Sequence, residues 1–185
     1  MQRAVDVALA GGALVLASPV LGVAAAVVKL GDGGPVLFRQ TRVGKDGVDF
    51  ELLKLRTMVV GAETMGAGLA VDRGDPRITR SGRLLRKLSL DELPQLWNVF
   101  KGEMSLVGPR PLPMDESAGC DQWQRTRLDV TPGLTCIWQV KGRSRVTFDE
   151  WMRMDVNYIR RRNFLHDFKI LTQTIPAVLL RRGAR

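Results

Sequence analysis

From Val7 to Val28 the chain carries no charged residue, and this run constrains the fold more than any other stretch. As an α-helix it is about 33 Å long, enough to span a hydrocarbon core. Ser18 and Pro19 stand at its middle, where the proline ring pushes against the carbonyl of Val15 and kinks the helix. In lipid the freed carbonyl needs a new donor, and the Ser18 hydroxyl is close enough to be one. Arg3 precedes the run, and Lys29, Arg39 and Arg42 follow it. Lys and Arg collect on the cytoplasmic side of a membrane, so cations at both ends suit a helix that enters and returns. These residues leave a spanning anchor and a re-entrant helix both open. A cleaved signal peptide fits less well, because no small-residue cleavage site precedes a polar mature start.

Beyond that run the chain suits one domain: 185 residues suffice for a sizeable core. Lys and Arg number 28 against 19 Asp and Glu, a net charge of +9. Such a surplus implies an anionic partner, whether nucleic acid, an anionic lipid surface or a polyphosphate substrate. No nucleic-acid recognition motif or set of stacking aromatics accompanies the basic residues, so no nucleic acid is expected. Cys120 and Cys136 have neither CxxC nor zinc spacing, and His166 is the one histidine. A disulfide is geometrically open to them, but a reduced cytosolic setting is the simpler reading.

Gly31–Pro35 reads as the turn that closes the apolar segment. Val36–Gln40 and Phe50–Leu55 read as short strands around the turn Gly44–Gly47, and an extended Lys54-Leu55-Arg56 places Lys54 and Arg56 on one face. Gly61–Gly74 has no clear period and reads as a loop or frayed helix. Ser81 is the expected cap of a helix bearing Leu84, Leu85 and Leu88. Asp121–Asp129 reads as a short helix with Trp123 and Leu128 facing inward, and Cys136–Val140 as strand-like after the turn Thr131–Thr135. Asn163–Arg185 carries Phe164, Phe168, Leu171, Ile175, Val178 and Leu179 on one helical stripe and ends in Arg181, Arg182 and Arg185. That pattern suits a core helix or one in the membrane interface, where anionic lipids would attract its basic end. Tyr158 and Arg160–Arg162 suit the same headgroup level.

Chemistry concentrates between Leu84 and Pro113. An adjacent acidic pair, Asp91-Glu92, lies between the cations Arg77, Arg80, Arg83, Arg86 and Lys87 and the proline-flanked Arg110. With Asp91 as N-cap of the following helix, Pro94 falls at a position whose missing N–H costs nothing, which puts the pair at a helix mouth that favours anions. Capping alone explains an isolated acidic pair. Carboxylates among phosphate-binding cations instead suit a divalent metal and a phosphoryl group. The prolines around Arg110 restrict its backbone, so its fork is aimed with little entropy left to lose.

The runs SLDELPQLWNV and KGEMSLVGPRP resemble the bacterial sugar transferase family, the monotopic phosphoglycosyl transferases of glycan assembly. The resemblance extends through PVLFRQTRVGKDG, LLKLRTM, DPRITRSGRLLRK and TPGLTCIWQVKGR, nearly the whole chain. It implies an α/β, helix-rich fold. A small cytoplasmic, membrane-associated catalytic domain (31–185), with interfacial amphipathic helices, would stand on a re-entrant membrane helix (1–30) broken at Ser18-Pro19. It implies transfer of a phosphosugar from a UDP-sugar to polyprenol (undecaprenyl) phosphate at the cytoplasmic face of the bacterial inner membrane, with release of UMP. In family terms Asp91 is the nucleophile of a covalent aspartyl intermediate, and Glu92 with Asp91 holds Mg²⁺. Lys54, Arg56, Arg86, Gln95, Arg110 and Arg143 are the expected substrate and phosphate contacts, with Gln139 near the nucleotide. Glycine is common in the family at the position of Cys136, a difference that points to a changed pocket wall. A homo-oligomer is left open. The competing classes are a non-catalytic basic module for membrane or nucleic acid, which gives the acidic pair no role, and a membrane-anchored scaffold for other glycan enzymes.

Overall fold

The computed structural model describes residues 2–65, 74–141 and 146–179. Arg143, most of the Gly61–Gly74 segment and the terminal arginines Arg181, Arg182 and Arg185 lie outside the described residues. The chain begins with a long helix, α1 (Gln2–Asp32), followed by a hairpin of β1 (Leu37–Val43) and β2 (Asp49–Leu55). Next come α2 (Arg80–Lys87), a 3₁₀ turn (Leu90–Glu92), α3 (Gln95–Lys101) and β3 (Ser105–Val107). The short helices α4 (Met114–Ala118) and α5 (Gln122–Arg125) lead through a 3₁₀ turn (Thr126–Asp129) to β4 (Gly133–Thr135). Helices α6 (Ile137–Lys141), α7 (Phe148–Arg161) and α8 (Phe164–Leu179) complete the fold. Helices predominate, and the strands form two small sheets. One is the antiparallel hairpin, pairing Leu37 with Leu55 and Val43 with Asp49. The other is a parallel pair, Ser105 with Gly133 and Val107 with Thr135.

Helix α1 is long and apolar enough to cross a membrane. It continues through Pro19 without a gap. Ser18 Oγ donates to the Val15 carbonyl at 2.8 Å, the acceptor that an N–H at position 19 would have used. Its two ends pack on the same folded unit. Near the first, Ala10 joins Phe50, Leu52, Leu96, Val99 and Met104 in the main core. Near the second, Ala24 and Val28 meet Leu55 and Leu85. Polar ties secure the first end. Arg3 donates to the carbonyls of Val99 (2.5 Å) and Phe100 (2.7 Å). The buried Asp6 carboxylate accepts from Ser105 Oγ (2.7 Å) and the Leu106 N–H (3.2 Å). On the other side Val15, Leu16, Val23 and Leu30 remain exposed. Each fully buried side chain of the Leu96 and Val99 kind contributes about 1.5–3 kcal/mol.

Three local expectations are corrected. Thr79, not Ser81, caps α2: its extended backbone lets Oγ1 accept from the Gly82 N–H at 2.9 Å. Gly82 is what seats that helix, since a Cβ there would lie 1.9 Å from the Thr57 carbonyl oxygen. The strand-like Cys136–Val140 is mostly helix α6, because β4 ends at Thr135 and Trp138 turns onto Trp151 of α7, ring centroids 4.8 Å apart. Trp123 faces outward at 40 % exposure while Gln124 is buried. The Gln124 amide reaches back to accept from the Asp121 N–H at 2.8 Å, which fixes that rotation. Along α8 the apolar stripe divides. Ile170 is buried in the core, whereas Phe164, Leu165 and Phe168 are exposed.

Candidate active site

Helix α2 ends at Lys87, and Ser89 then adopts a left-handed backbone, φ 55° and ψ 23°. A non-glycine residue there is strained, and it resets the chain direction two residues before Asp91. Asp91 and Glu92 consequently lie inside the 3₁₀ turn, not at the cap of the next helix. Pro94 occupies the N-cap position of α3, between turn and helix, where its lack of an N–H breaks no bond. The pair thus occupies a short strained turn between two helices.

The turn holds Glu92 against β2 and the loop after β3. Glu92 Oε1 accepts from Arg110 Nη2 at 2.6 Å and from Lys54 Nζ at 3.2 Å. One carboxylate thus serves two cations. Burial pushes the Glu92 carboxyl up, but the charges and hydrogen bonds of Arg110 and Lys54 outweigh it and hold it below the usual carboxylate range. Burial also lowers Lys54, against the attraction of Glu92. Arg110 stays fully charged, since Glu92 outweighs its desolvation. Asp91 differs from its neighbour. Burial, then the charge of Glu92, raise its carboxyl above the ordinary value despite Lys54 and Arg86. Among the described residues its side chain forms no ion pair with any of these cations.

The other expected contacts divide. Arg86 lies within the field of Asp91, its Nε donating to Thr57 Oγ1 at 2.8 Å, and desolvation lowers its affinity for its proton. Gln95 is buried at 1 % exposure, and its Nε2 has no hydrogen-bond partner among the described residues. It stands one turn beyond Asp91, so it offers an unused donor beside the acidic pair. Arg56 is engaged elsewhere. It pairs through both Nη atoms with Asp32 at the end of α1, and its Nε donates to the Pro35 carbonyl at 2.5 Å. Alternation of side chains along a strand had put it beside Lys54, but β2 ends at Leu55 and Asp32 captures the guanidinium. Gln139 accepts from Cys136 Sγ at 3.0 Å. Burial pushes the Cys136 thiol up, which disfavours its reactive thiolate form.

Arg110 stands on a closely packed base. A Cβ on Gly133 would lie 2.0 Å from the Gly108 amide nitrogen, so the two glycines bring β3 and β4 into direct backbone contact. Arg42, which the sequence did not single out for the site, lies nearby. It donates to the Pro111 carbonyl at 3.0 Å, and burial, then the charge of Arg110, lower its pKa to about 10.

The donor set fits a small hard cation in one specific way. Asp91 and Glu92 offer adjacent carboxylates, and no group of three or more acidic, His or Cys side chains forms a metal cage among the described residues. Magnesium is commonly bound by one or two carboxylates and completed by substrate phosphates and water. Cations around an acidic pair, with an unused buried amide donor beside it, match an anionic substrate that carries phosphate oxygens.

The family model described as bacterial sugar transferase matches residues 1–181. The chain belongs to the bacterial sugar transferase family. The transferase is 40 % identical over 197 residues to the exopolysaccharide production protein ExoY of Rhizobium meliloti, covering 99 % of this chain and 87 % of that one. It is 42 % identical over 190 residues to the UDP-glucose:undecaprenyl-phosphate glucose-1-phosphate transferase of Caulobacter vibrioides, covering 96 % and 69 %. To the undecaprenyl-phosphate galactose phosphotransferase of Salmonella typhimurium it is 39 % identical over 199 residues, covering 100 % and 41 %. It spans most of the first two relatives and under half of the third.

Proposed function

We propose that this transferase moves a phosphosugar from a UDP-sugar to a polyprenol phosphate, undecaprenyl phosphate in bacteria, with release of UMP. The observation that carries this reading is the division of labour in the acidic pair. Glu92 balances Lys54 and Arg110, while Asp91, beside it, is left without an ion-pair partner among the described residues. Asp91 is the nucleophile. Its carboxylate oxygen attacks the sugar-linked phosphorus, the bond from that phosphorus to the UMP oxygen breaks, and UMP leaves with the electron pair. A phosphate oxygen of the polyprenol phosphate then attacks the same phosphorus. The Asp91–phosphorus bond breaks, the carboxylate is restored, and a polyprenol-diphosphate sugar departs. Lys54 and Arg110 neutralise phosphate oxygens in both steps, with Arg86 alongside and Gln95 orienting either the phosphate or the nucleophile. Mg²⁺, held by Asp91 and Glu92, would offset the charge of the diphosphate.

The lipid acceptor gives α1 its place. The docking of both ends of this helix on the same unit supports a re-entrant seating over a full crossing, because a crossing would carry one end to the far side. Midway along α1, Ser18 supplies the donor that Pro19 lacks, which a backbone carbonyl in lipid needs. The exposed Val15, Leu16, Val23 and Leu30 of α1, with Phe164, Leu165 and Phe168 of α8, would meet lipid on the cytoplasmic face of the bacterial inner membrane. The test is UMP release by detergent-purified protein with Mg²⁺, undecaprenyl phosphate and a panel of UDP-sugars. Turnover with at least one sugar, abolished by Asp91→Asn and by chelation, is expected, and without acceptor a phosphosugar adduct should be found by mass on the Asp91 peptide. Folded protein that releases no UMP from any UDP-sugar would overturn the reading.

A further inference from the structure

The carbonyls of Pro109, Arg110 and Pro111 are each held by a donor from a different element. Gly133 N–H of β4 donates to Pro109 O at 2.8 Å. Arg127 Nη2, from the 3₁₀ turn Thr126–Asp129, donates to Arg110 O at 2.5 Å, and Arg42 of β1 donates to Pro111 O at 3.0 Å. Two of the three residues are prolines with no N–H of their own, so the carbonyl side is where this segment can be fixed. The middle bond differs from its neighbours. Arg127 is 4 % exposed, its Nη2 also meets Asp155 Oδ2 of α7 at 2.8 Å, and its guanidinium lies 5.5 Å from the centre of the Trp151 ring. Asp155 is 2 % exposed.

We propose that Arg127 and Asp155 are positioning residues for Arg110, holding its backbone so that its guanidinium meets Glu92 in the free enzyme and a substrate phosphate in the complex. A buried ion pair is a weak stabiliser compared with apolar side chains of the same volume. What this one adds is a directed N–H on the carbonyl of the residue whose side chain enters the site. Asp155 orients Arg127, Arg127 fixes Arg110, and Arg110 presents its fork. A planar fork binds two phosphate oxygens only from the right angle, so small displacements at its base weaken binding out of proportion to their size. The consequence for phosphate binding rests on the function proposed above.

The test pairs Arg127→Met with Asp155→Leu in the full chain, removing both charges together so that neither is left buried alone. Binding of UDP is read by calorimetry, with the thermal midpoint as a check on folding. The paired variant should keep a midpoint near that of the wild type and lose about tenfold in UDP affinity, the same loss expected of Arg110→Gln. Adding Arg110→Gln to it should cost no more than about twofold further, because the three residues act as one unit. If the pair fails to fold, Arg127→Lys is used, which keeps a charge opposite Asp155 but is one atom shorter, so its single nitrogen cannot reach both Asp155 and the Arg110 carbonyl as Nη2 does. A folded variant with wild-type UDP affinity, or losses that multiply with Arg110→Gln, would overturn the proposal. Failure of the transferase reading looks different: wild-type protein that binds UDP but releases no UMP, with the coupling to Arg110 still legible in binding.

Discussion

Glu92→Gln makes the sharpest test of how the site manages charge. In the free enzyme the Glu92 carboxylate occupies the two cations that a diphosphate would use, Arg110 at 2.6 Å and Lys54 at 3.2 Å. At a separation near 3 Å and an effective dielectric of about 20, each pair attracts by about 5 kcal/mol before desolvation. The three side chains are 20–25 % exposed, so solvent and desolvation remove most of that figure. Breaking the pair should lower fold stability by about 3 kcal/mol and leave two uncompensated cations facing the pocket. With EDTA present, UDP should then bind about tenfold more tightly to Glu92→Gln than to wild type, about 1.4 kcal/mol. UMP release in Mg²⁺ should meanwhile fall by at least about a hundredfold. Calorimetric UDP titration in EDTA, beside UMP release in Mg²⁺, separates the two effects. If UDP affinity in EDTA is unchanged or weaker, Glu92 does not compete with phosphate and the charge argument fails.

Asp6→Leu leaves the Leu106 N–H buried without its acceptor and should lower stability by about 3 kcal/mol, while the exposed control Asp49→Asn stays within about 0.5 kcal/mol. Thermal unfolding in detergent at fixed scan rate distinguishes them. Gly133→Ala cannot keep a Cβ 2.0 Å from the Gly108 nitrogen, so β3 and β4 must part. UMP release should drop by about tenfold or more, with α1 still packed by proteolysis footprint. Asp155 carries a pH signature. Burial raises its carboxyl to about 6 against Arg127, above the ordinary 3.8. A group raised on folding contributes stability that is complete below the unfolded value and lost as pH climbs through the folded one. Between pH 4 and pH 7 wild type should lose up to about 3 kcal/mol from this group, and Asp155→Asn should lack that component in parallel denaturant titrations.

Elements written in local pattern were legible in the sequence. The hairpin is an example: period-two strands flank a glycine turn, and the register follows from the buried Phe50 and Leu52. Helix α2 was legible from its apolar spacing. The missed features depend on distant partners. Nothing local tells that Ser89 will turn left-handed and carry Asp91 into a 3₁₀ turn, or that Asp32 will take Arg56. Arg127 and Asp155 are a basic and an acidic residue among many until the fold brings 28 residues of separation down to one ion pair. Asp6 did carry a signal, as the sole acid before Asp32 in an otherwise apolar segment. Its role appears only when the fold brings Ser105 and Leu106 to it. Trp138 shows the reverse case, where strand propensity yields to an aromatic partner on another helix.

Helix α1 has Ala10 at 0 % exposure in the main core and Leu16 at 82 % on its other side. The segment that faces outward along one edge is therefore also the floor of the interior along the other. Such a helix cannot be exchanged for another apolar stretch, because its inner edge must place Ala10, Ala24 and Val28 against the core and Asp6 against Ser105 and Leu106. A chain cut after residue 32 would expose Val99 and Leu106 to water and leave the Leu106 amide without Asp6. The outward edge of α1 and the closed interior of the folded unit are therefore two sides of one element, and neither can be removed without the other.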